Sequence, residues 1–150
     1  MSHHASITFL KISSFATMLF GALLLVTLFA GIGLLNFFAD LLHMPLDGVQ
    51  KVDSDSERTL IAILAGVLIG IATFVWQITQ HVYAHNPRRG AQMITISLLA
   101  WYLPDNLGSL LTGAWFNVVM NSVFLAMFLL PLYLAKRPVP DLPIDTNPAT

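Results

Sequence analysis

The sequence predicts an all-α polytopic membrane protein, an antiparallel bundle of four transmembrane helices with both termini in the cytoplasm. Of its 150 residues, 56% are hydrophobic and only 10% are charged, whereas about a quarter of a typical soluble domain is charged. The mean hydropathy is +0.74, and the apolar residues fall in four long runs rather than in alternation. Because a spanning helix needs about 20 mostly apolar residues, each run is long enough for one crossing. The transmembrane domain is expected over 1–137.

The first run covers 12–42 and contains no charge before Asp40. It is longer than one bilayer thickness requires, so we expect a tilted helix or a helical extension beyond the membrane. A cleaved signal peptide has a shorter apolar core of about 7–15 residues and a small-residue cleavage site. Neither feature fits this run, and it is expected to stay in the protein.

The other three runs cover 59–82, 91–111 and 116–135. Short links join them, which makes the second, third and fourth helices antiparallel neighbours. The only sizeable loop, 43–57, precedes the second run. After the fourth run, residues 138–150 include four prolines and are expected to form an extended, flexible cytoplasmic tail.

The distribution of basic residues predicts the orientation, since cytoplasmic loops carry an excess of Lys and Arg. Five of the seven basic residues fall on the side of the two termini, against two on the other side, Lys51 and Arg58. The five are Lys11, Arg88, Arg89, Lys136 and Arg137. We therefore expect both termini in the cytoplasm and the loop 43–57, which carries Asp53, Asp55 and Glu57, on the outer side. The membrane is expected to be a bacterial inner membrane.

Composition also excludes several functions. The chain has no cysteine, which excludes disulfide frameworks, thiolate metal sites and CxxC redox relays. Its formal net charge is −1 and it has no basic block, so nucleic-acid binding has no electrostatic basis. Phosphate-binding loops, zinc-protease helices and nucleophile elbows are absent. No cofactor is expected; the expected partner is the lipid bilayer, with a homo-oligomer or a larger membrane complex left open.

Asp105 is the one charge well inside a predicted span, where a carboxylate costs about 2.5–3.5 kcal/mol on insertion scales. Other polar residues are expected at a similar depth in the outer half of the bundle: Arg58, Asn36, Ser109, Asn117 and Asn121. One interpretation is a clamp in which Asp105 pairs with Arg58 and the asparagines satisfy the remaining groups. It makes the protein a non-enzymatic accessory or structural bundle.

The alternative is binding or transport of a small or lipophilic molecule, or of protons, through an outward-facing polar pocket around Asp105. An enzyme is disfavoured and no catalytic residue is assigned, because no second acid, base or metal cluster accompanies Asp105.

Two further motifs carry weaker signals. His81 and His85 are spaced to share a helix face and are weak metal candidates, because the neighbouring segments offer no third ligand except the terminal His3 and His4. Gly66 and Gly70 form a GxxxG motif, which permits close helix approach either within the chain or across a homodimer.

The segment Trp101–Tyr133, WYLPDNLGSLLTGAWFNVVMNSVFLAMFLLPLY, resembles a pattern in small uncharacterised bacterial membrane proteins with four helices, the BphX-like group among them. The similar feature is a third helix with an acid, followed by a Gly-containing turn and a fourth helix with asparagines. The resemblance implies a four-helix inner-membrane protein and carries over no activity.

Overall fold

The computed structural model describes residues 1–135, apart from the side chain of Ile32, and its regular elements are all helical. Five α-helices follow one another, and a short π-helical segment continues the third of them. Three of these stretches are long and apolar enough to cross a membrane: α1, α3 together with the π-helical segment, and α5. The predicted tail 138–150 lies outside the described residues. The elements are α1 (His3–Ala30), α2 (Ile32–His43), α3 (Asp55–Ile78), the π-helical segment (Thr79–Tyr83), α4 (Pro87–Leu111) and α5 (Trp115–Leu134).

The long first run does not form one helix. Gly31 separates α1 from α2 with non-helical backbone angles, φ 158° and ψ 125°. The rings of Phe20 and Phe38 lie 5.7 Å apart, whereas one continuous helix would separate those two residues by about 27 Å. Thus α2 folds back along α1, and the expectation of a single helix over 12–42 is wrong. Glycines at 31 and 33 weaken the helix at this point, because glycine is the poorest helix former after proline.

Residues 44–54 return alongside α2. The backbone N–H of Gly48 donates to the carboxylate of Asp40 at 3.0 Å, and the backbone N–H of Val52 donates to Asn36 Oδ1 at 2.8 Å. Asp40 and Val52 are both buried. Side chains of α2 therefore hold residues 44–54, which we call the return segment, in place and satisfy backbone groups that have no helical partner.

The antiparallel contact between α1 and α3 depends on small residues. A Cβ at Gly21 would lie 2.9 Å from the carbonyl oxygen of Ala65, and Ala65 and Ala72 are fully buried. By contrast, a Cβ at Gly66 or Gly70 would meet no atom within 4 Å. The GxxxG motif thus makes no close contact within the described chain, because the neighbouring face of α3, which carries Ala65, is the one turned toward α1.

The start of α1 meets the ends of two other helices. Ser6 Oγ donates to the carbonyl of Pro131 at 2.8 Å, so the hydroxyl of Tyr83, 2.9 Å away, must be the donor in its bond to Ser6. The amino terminus of Met1 donates to the carbonyl of Leu134 at 3.0 Å. The C-terminal ends of α5 and of the π-helical segment therefore both lie beside the beginning of α1. It follows that α3 and α5 run in the same direction, antiparallel to α1.

α4 begins tightly packed on the π-helical segment. Asn86 caps the helix by accepting the backbone N–H of Arg89 at 3.0 Å, and Pro87 occupies the first turn, where its missing N–H is tolerated. A Cβ at Gly90 would lie only 2.4 Å from the Cα of Tyr83. The main buried core lies next to this contact and comprises Leu10, Val75, Tyr83, Ile94, Leu98 and Phe128.

Candidate functional site

A polar cluster joins α4 to α5 around Asp105. Its carboxylate oxygen Oδ2 accepts hydrogen bonds from the side-chain amides of Asn121 and of Asn117, the latter at 3.4 Å. Asn117 also donates to Ser109 Oγ at 2.8 Å. Together with Asn106, these residues form what we call the Asp105 cluster: Asp105, Asn106, Ser109, Asn117 and Asn121.

The local sequence explains why these side chains meet. Asp105 and Ser109 lie four residues apart on α4, and Asn117 and Asn121 lie four residues apart on α5, so each pair shares a helix face. The tight turn between the helices includes Gly113 with φ 78°, a left-handed conformation that glycine adopts without steric cost. This turn sets an antiparallel register in which residue 105 lies opposite 121 and residue 109 lies opposite 117.

Asn106 is a member that the sequence analysis missed. It is 7% exposed, its Nδ2 donates to the carbonyl of Tyr102 at 2.7 Å, and its Oδ1 accepts from Asn121 at 3.3 Å. Its position directly after Asp105, one turn beyond Tyr102, was the available signal. A further bond between the two helices, outside this cluster, joins the hydroxyls of Tyr102 and Ser122 at 2.8 Å.

Arg58 and Asn36 lie outside the Asp105 cluster. Asn36 accepts a hydrogen bond from the backbone N–H of Val52 at 2.8 Å and so stabilises the return segment. Arg58 lies in the first turns of α3, and its buried Nε has no hydrogen-bond partner among the described residues. Within residues 1–135, no hydrogen bond joins Arg58 to Asp105, so the predicted pairing is not formed. The reason is that α3 packs chiefly on α1, whereas Asp105 faces α5.

The chemistry of the Asp105 cluster is that of one carboxylate among neutral amides and a hydroxyl. Amide N–H groups are donors that satisfy carboxylate oxygens without a cation. General acid–base catalysis usually needs a second titratable group with a separated pKa, and no other member of the cluster is an acid, an imidazole or an amine. The arrangement can hold two helices together, and it contains no pair of groups suited to proton transfer.

The two histidines considered as metal candidates are both exposed, His81 in the π-helical segment and His85 just after it. Across residues 1–135, no group of three or more His, Asp or Glu side chains is placed to hold a metal ion. This leaves the pair without a third protein ligand in the described part of the chain.

Comparison with protein families, with curated proteins and with solved structures finds no match to this chain. The resemblance of Trp101–Tyr133 to small four-helix bacterial membrane proteins therefore stays an expectation from the sequence.

Proposed function

We propose that the protein is a four-span integral membrane bundle with a non-enzymatic, structural or accessory role, in which the Asp105 cluster clamps α4 to α5. The observation that carries this proposal is the environment of Asp105, whose carboxylate is held by two asparagine amides from the neighbouring helix. In this proposal the bundle lies in a bacterial inner membrane, with both termini in the cytoplasm.

Helix directions support four crossings. If α3 and α5 both cross the membrane, they cross in the same direction, because both end beside the start of α1. The chain between them must then return across the bilayer, and α4 is the element that connects them. Its 25 residues give a length of about 37 Å, enough for the hydrocarbon core of about 30 Å. Its lower apolarity is explained by the Asp105 cluster, which the contact with α5 shields.

The hydrogen-bond energies support a clamp. A hydrogen bond between membrane helices contributes about 0.6 kcal/mol on average, and a bond to a charged group contributes roughly 1.5–3 kcal/mol. Two amides on one carboxylate oxygen, with further bonds from Asn117 to Ser109 and from Asn121 to Asn106, therefore stabilise the pair of helices by a few kcal/mol. Both amides bond Oδ2 of this carboxylate, whereas Oδ1 accepts no hydrogen bond within residues 1–135, so the support for the clamp comes from the bonds to Oδ2.

The test is the free energy of unfolding of Asp105→Ala in mild detergent, with Asp53→Ala as the matched control. Asp53 lies in the exposed loop before α3, so its loss should change the free energy by less than about 0.5 kcal/mol. Asp105→Ala leaves donors without an acceptor and should cost roughly 1–3 kcal/mol. Asp105→Asn keeps an oxygen acceptor but loses the negative charge, so it should retain only part of that stability.

Equal stability of Asp105→Ala and Asp53→Ala would contradict the clamp. The transport alternative would be supported if Asp105→Asn abolished a proton or substrate flux in proteoliposomes and left the free energy of unfolding unchanged.

A further inference from the structure

A cavity of about 310 Å³ opens at the end of the bundle where α1 begins. It lies between the start of α1, the π-helical segment, the first turns of α4 and the end of α5, far along the helices from the Asp105 cluster. The lining residues that matter for its chemistry are His3, Arg88, Gln92, Thr95, Leu132 and Tyr133. A volume near 300 Å³ is at the lower end of the range for small-ligand sites.

The polar lining of this cavity favours an anion. A guanidinium, an imidazole, an amide and three hydroxyl-bearing side chains line it, and none of its lining residues carries a carboxylate. His3 keeps a buried ring nitrogen, Nδ1, with no hydrogen-bond partner among the described residues, while its Nε2 lies 3.4 Å from the carbonyl of Ala84. The lining therefore offers a positive charge at Arg88 and hydrogen-bond donors to a ligand, and no negative charge that would repel an anion.

The position of the cavity favours a ligand that is partly apolar. Leu132 and Ile96 contribute apolar wall, and Tyr133 next to them is 77% exposed. The same end of the bundle carries Arg88 and Arg89 in the first turn of α4, while Lys11, further along α1, lies over the ring of Trp76. In membrane proteins, basic pockets between helices on the cytoplasmic side are suited to acidic lipid headgroups, and the planar guanidinium of arginine matches phosphate oxygens in a bidentate fashion.

We propose that this cavity binds a phosphate-bearing anionic headgroup, with Arg88 and His3 as the principal contacts and the apolar wall facing the adjoining glycerol and acyl carbons. The same phosphate chemistry could come from an acidic phospholipid or from free phosphate. The lipid source rests on the proposed insertion in the membrane, whereas the cavity itself is independent of the Asp105 clamp.

The experiment uses the full chain, purified from membranes in an uncharged detergent and examined by native mass spectrometry with equimolar phosphatidylglycerol and phosphatidylcholine. We expect one phosphatidylglycerol retained per chain in preference to phosphatidylcholine. Arg88→Gln should weaken retention on the order of tenfold, as expected for a lost charge-assisted hydrogen bond. The matched control is Arg89→Gln, which removes the same charge from the same helix turn but not from the cavity lining, and should leave retention unchanged.

A second matched pair, His3→Gln and His4→Gln, keeps the proposal testable if one arginine variant folds poorly, because only His3 lines the cavity. A parallel titration with inorganic phosphate distinguishes the sources. Displacement of the lipid by millimolar phosphate, with the same dependence on Arg88, would support the site and identify free phosphate as a competing ligand.

Equal retention of both lipids, or equal losses within both matched pairs, would overturn the proposal. If the chain is recovered from the membrane fraction but shows no lipid preference, the result contradicts the cavity proposal alone. If the chain is absent from the membrane fraction, the result contradicts the proposed membrane function.

Discussion

The most sharply defined packing constraint in the bundle is the contact of Gly90 with the backbone of Tyr83. A Cβ at position 90 would lie 2.4 Å from Tyr83 Cα, 2.5 Å from its Cβ and 2.6 Å from its backbone nitrogen. Restoring ordinary carbon contacts of about 3.5 Å requires a shift of roughly 1 Å. Since the obstacle is backbone in a helical segment, we take the upper part of the usual overpacking cost, about 3 kcal/mol. Alanine recovers at most ~1 kcal/mol of helix propensity, so Gly90→Ala should lose about 2 kcal/mol.

The matched control is Gly108→Ala, in the same helix. A Cβ at Gly108 would meet no atom within 4 Å, so this variant should be neutral or gain up to ~1 kcal/mol from helix propensity. The assay is equilibrium unfolding of both variants in the same detergent, followed by far-UV circular dichroism. Equal unfolding free energies for the two variants, or a more stable Gly90→Ala, would refute the described packing of α4 on the π-helical segment.

Three further predictions concern the topology. With cysteines placed by Phe20→Cys and Phe38→Cys, a short bifunctional reagent should cross-link α1 to α2; no cross-link would favour a continuous helix with the two sites about 27 Å apart. In the otherwise cysteine-free chain, single variants Arg89→Cys and Thr112→Cys should react with a membrane-impermeant thiol reagent from opposite sides of intact vesicles, and labelling from one side would mean that α4 does not cross. Asn36→Ala should cost roughly 1–2 kcal/mol by leaving a buried loop N–H unpaired, seen as faster hydrogen exchange of the return segment, and unchanged exchange would argue against that contact.

Much of the helical framework could be predicted from apolar length and turn residues. The runs 91–111 and 116–135 lie close to the observed α4 and α5, because Pro87 and Gly113 mark their boundaries. The fold-back of α2 could not be predicted in this way. Residues 31–33 are as apolar as the helices around them, so hydropathy continues through a point where the backbone turns, and two glycines were the only local indication.

The candidate site also was predicted only in part from the sequence. Asp105, Ser109, Asn117 and Asn121 could be grouped because four-residue spacings on two helices joined by a tight turn fix which faces meet. The same reasoning failed for Arg58, since an estimate of depth along a helix does not say which neighbouring helix a side chain faces. That information lies in the packing of α3 on α1, which depends on the close approach at Gly21.

If Asp105 holds α4 to α5, its contribution to stability depends on its partners on α5, and a pair of double-mutant cycles measures that dependence. Unfolding free energies would be measured for Asp105→Ala, Asn121→Ala and Arg58→Ala, and for the two double variants that contain Asp105→Ala. Contacting residues show interaction energies of roughly 0.5–3 kcal/mol, while independent sites add within about 0.3–0.5 kcal/mol. We predict coupling of about 1 kcal/mol or more between Asp105 and Asn121, and additivity between Asp105 and Arg58. Additivity between Asp105 and Asn121 would contradict the clamp, and coupling between Asp105 and Arg58 would contradict the observed separation of these two residues.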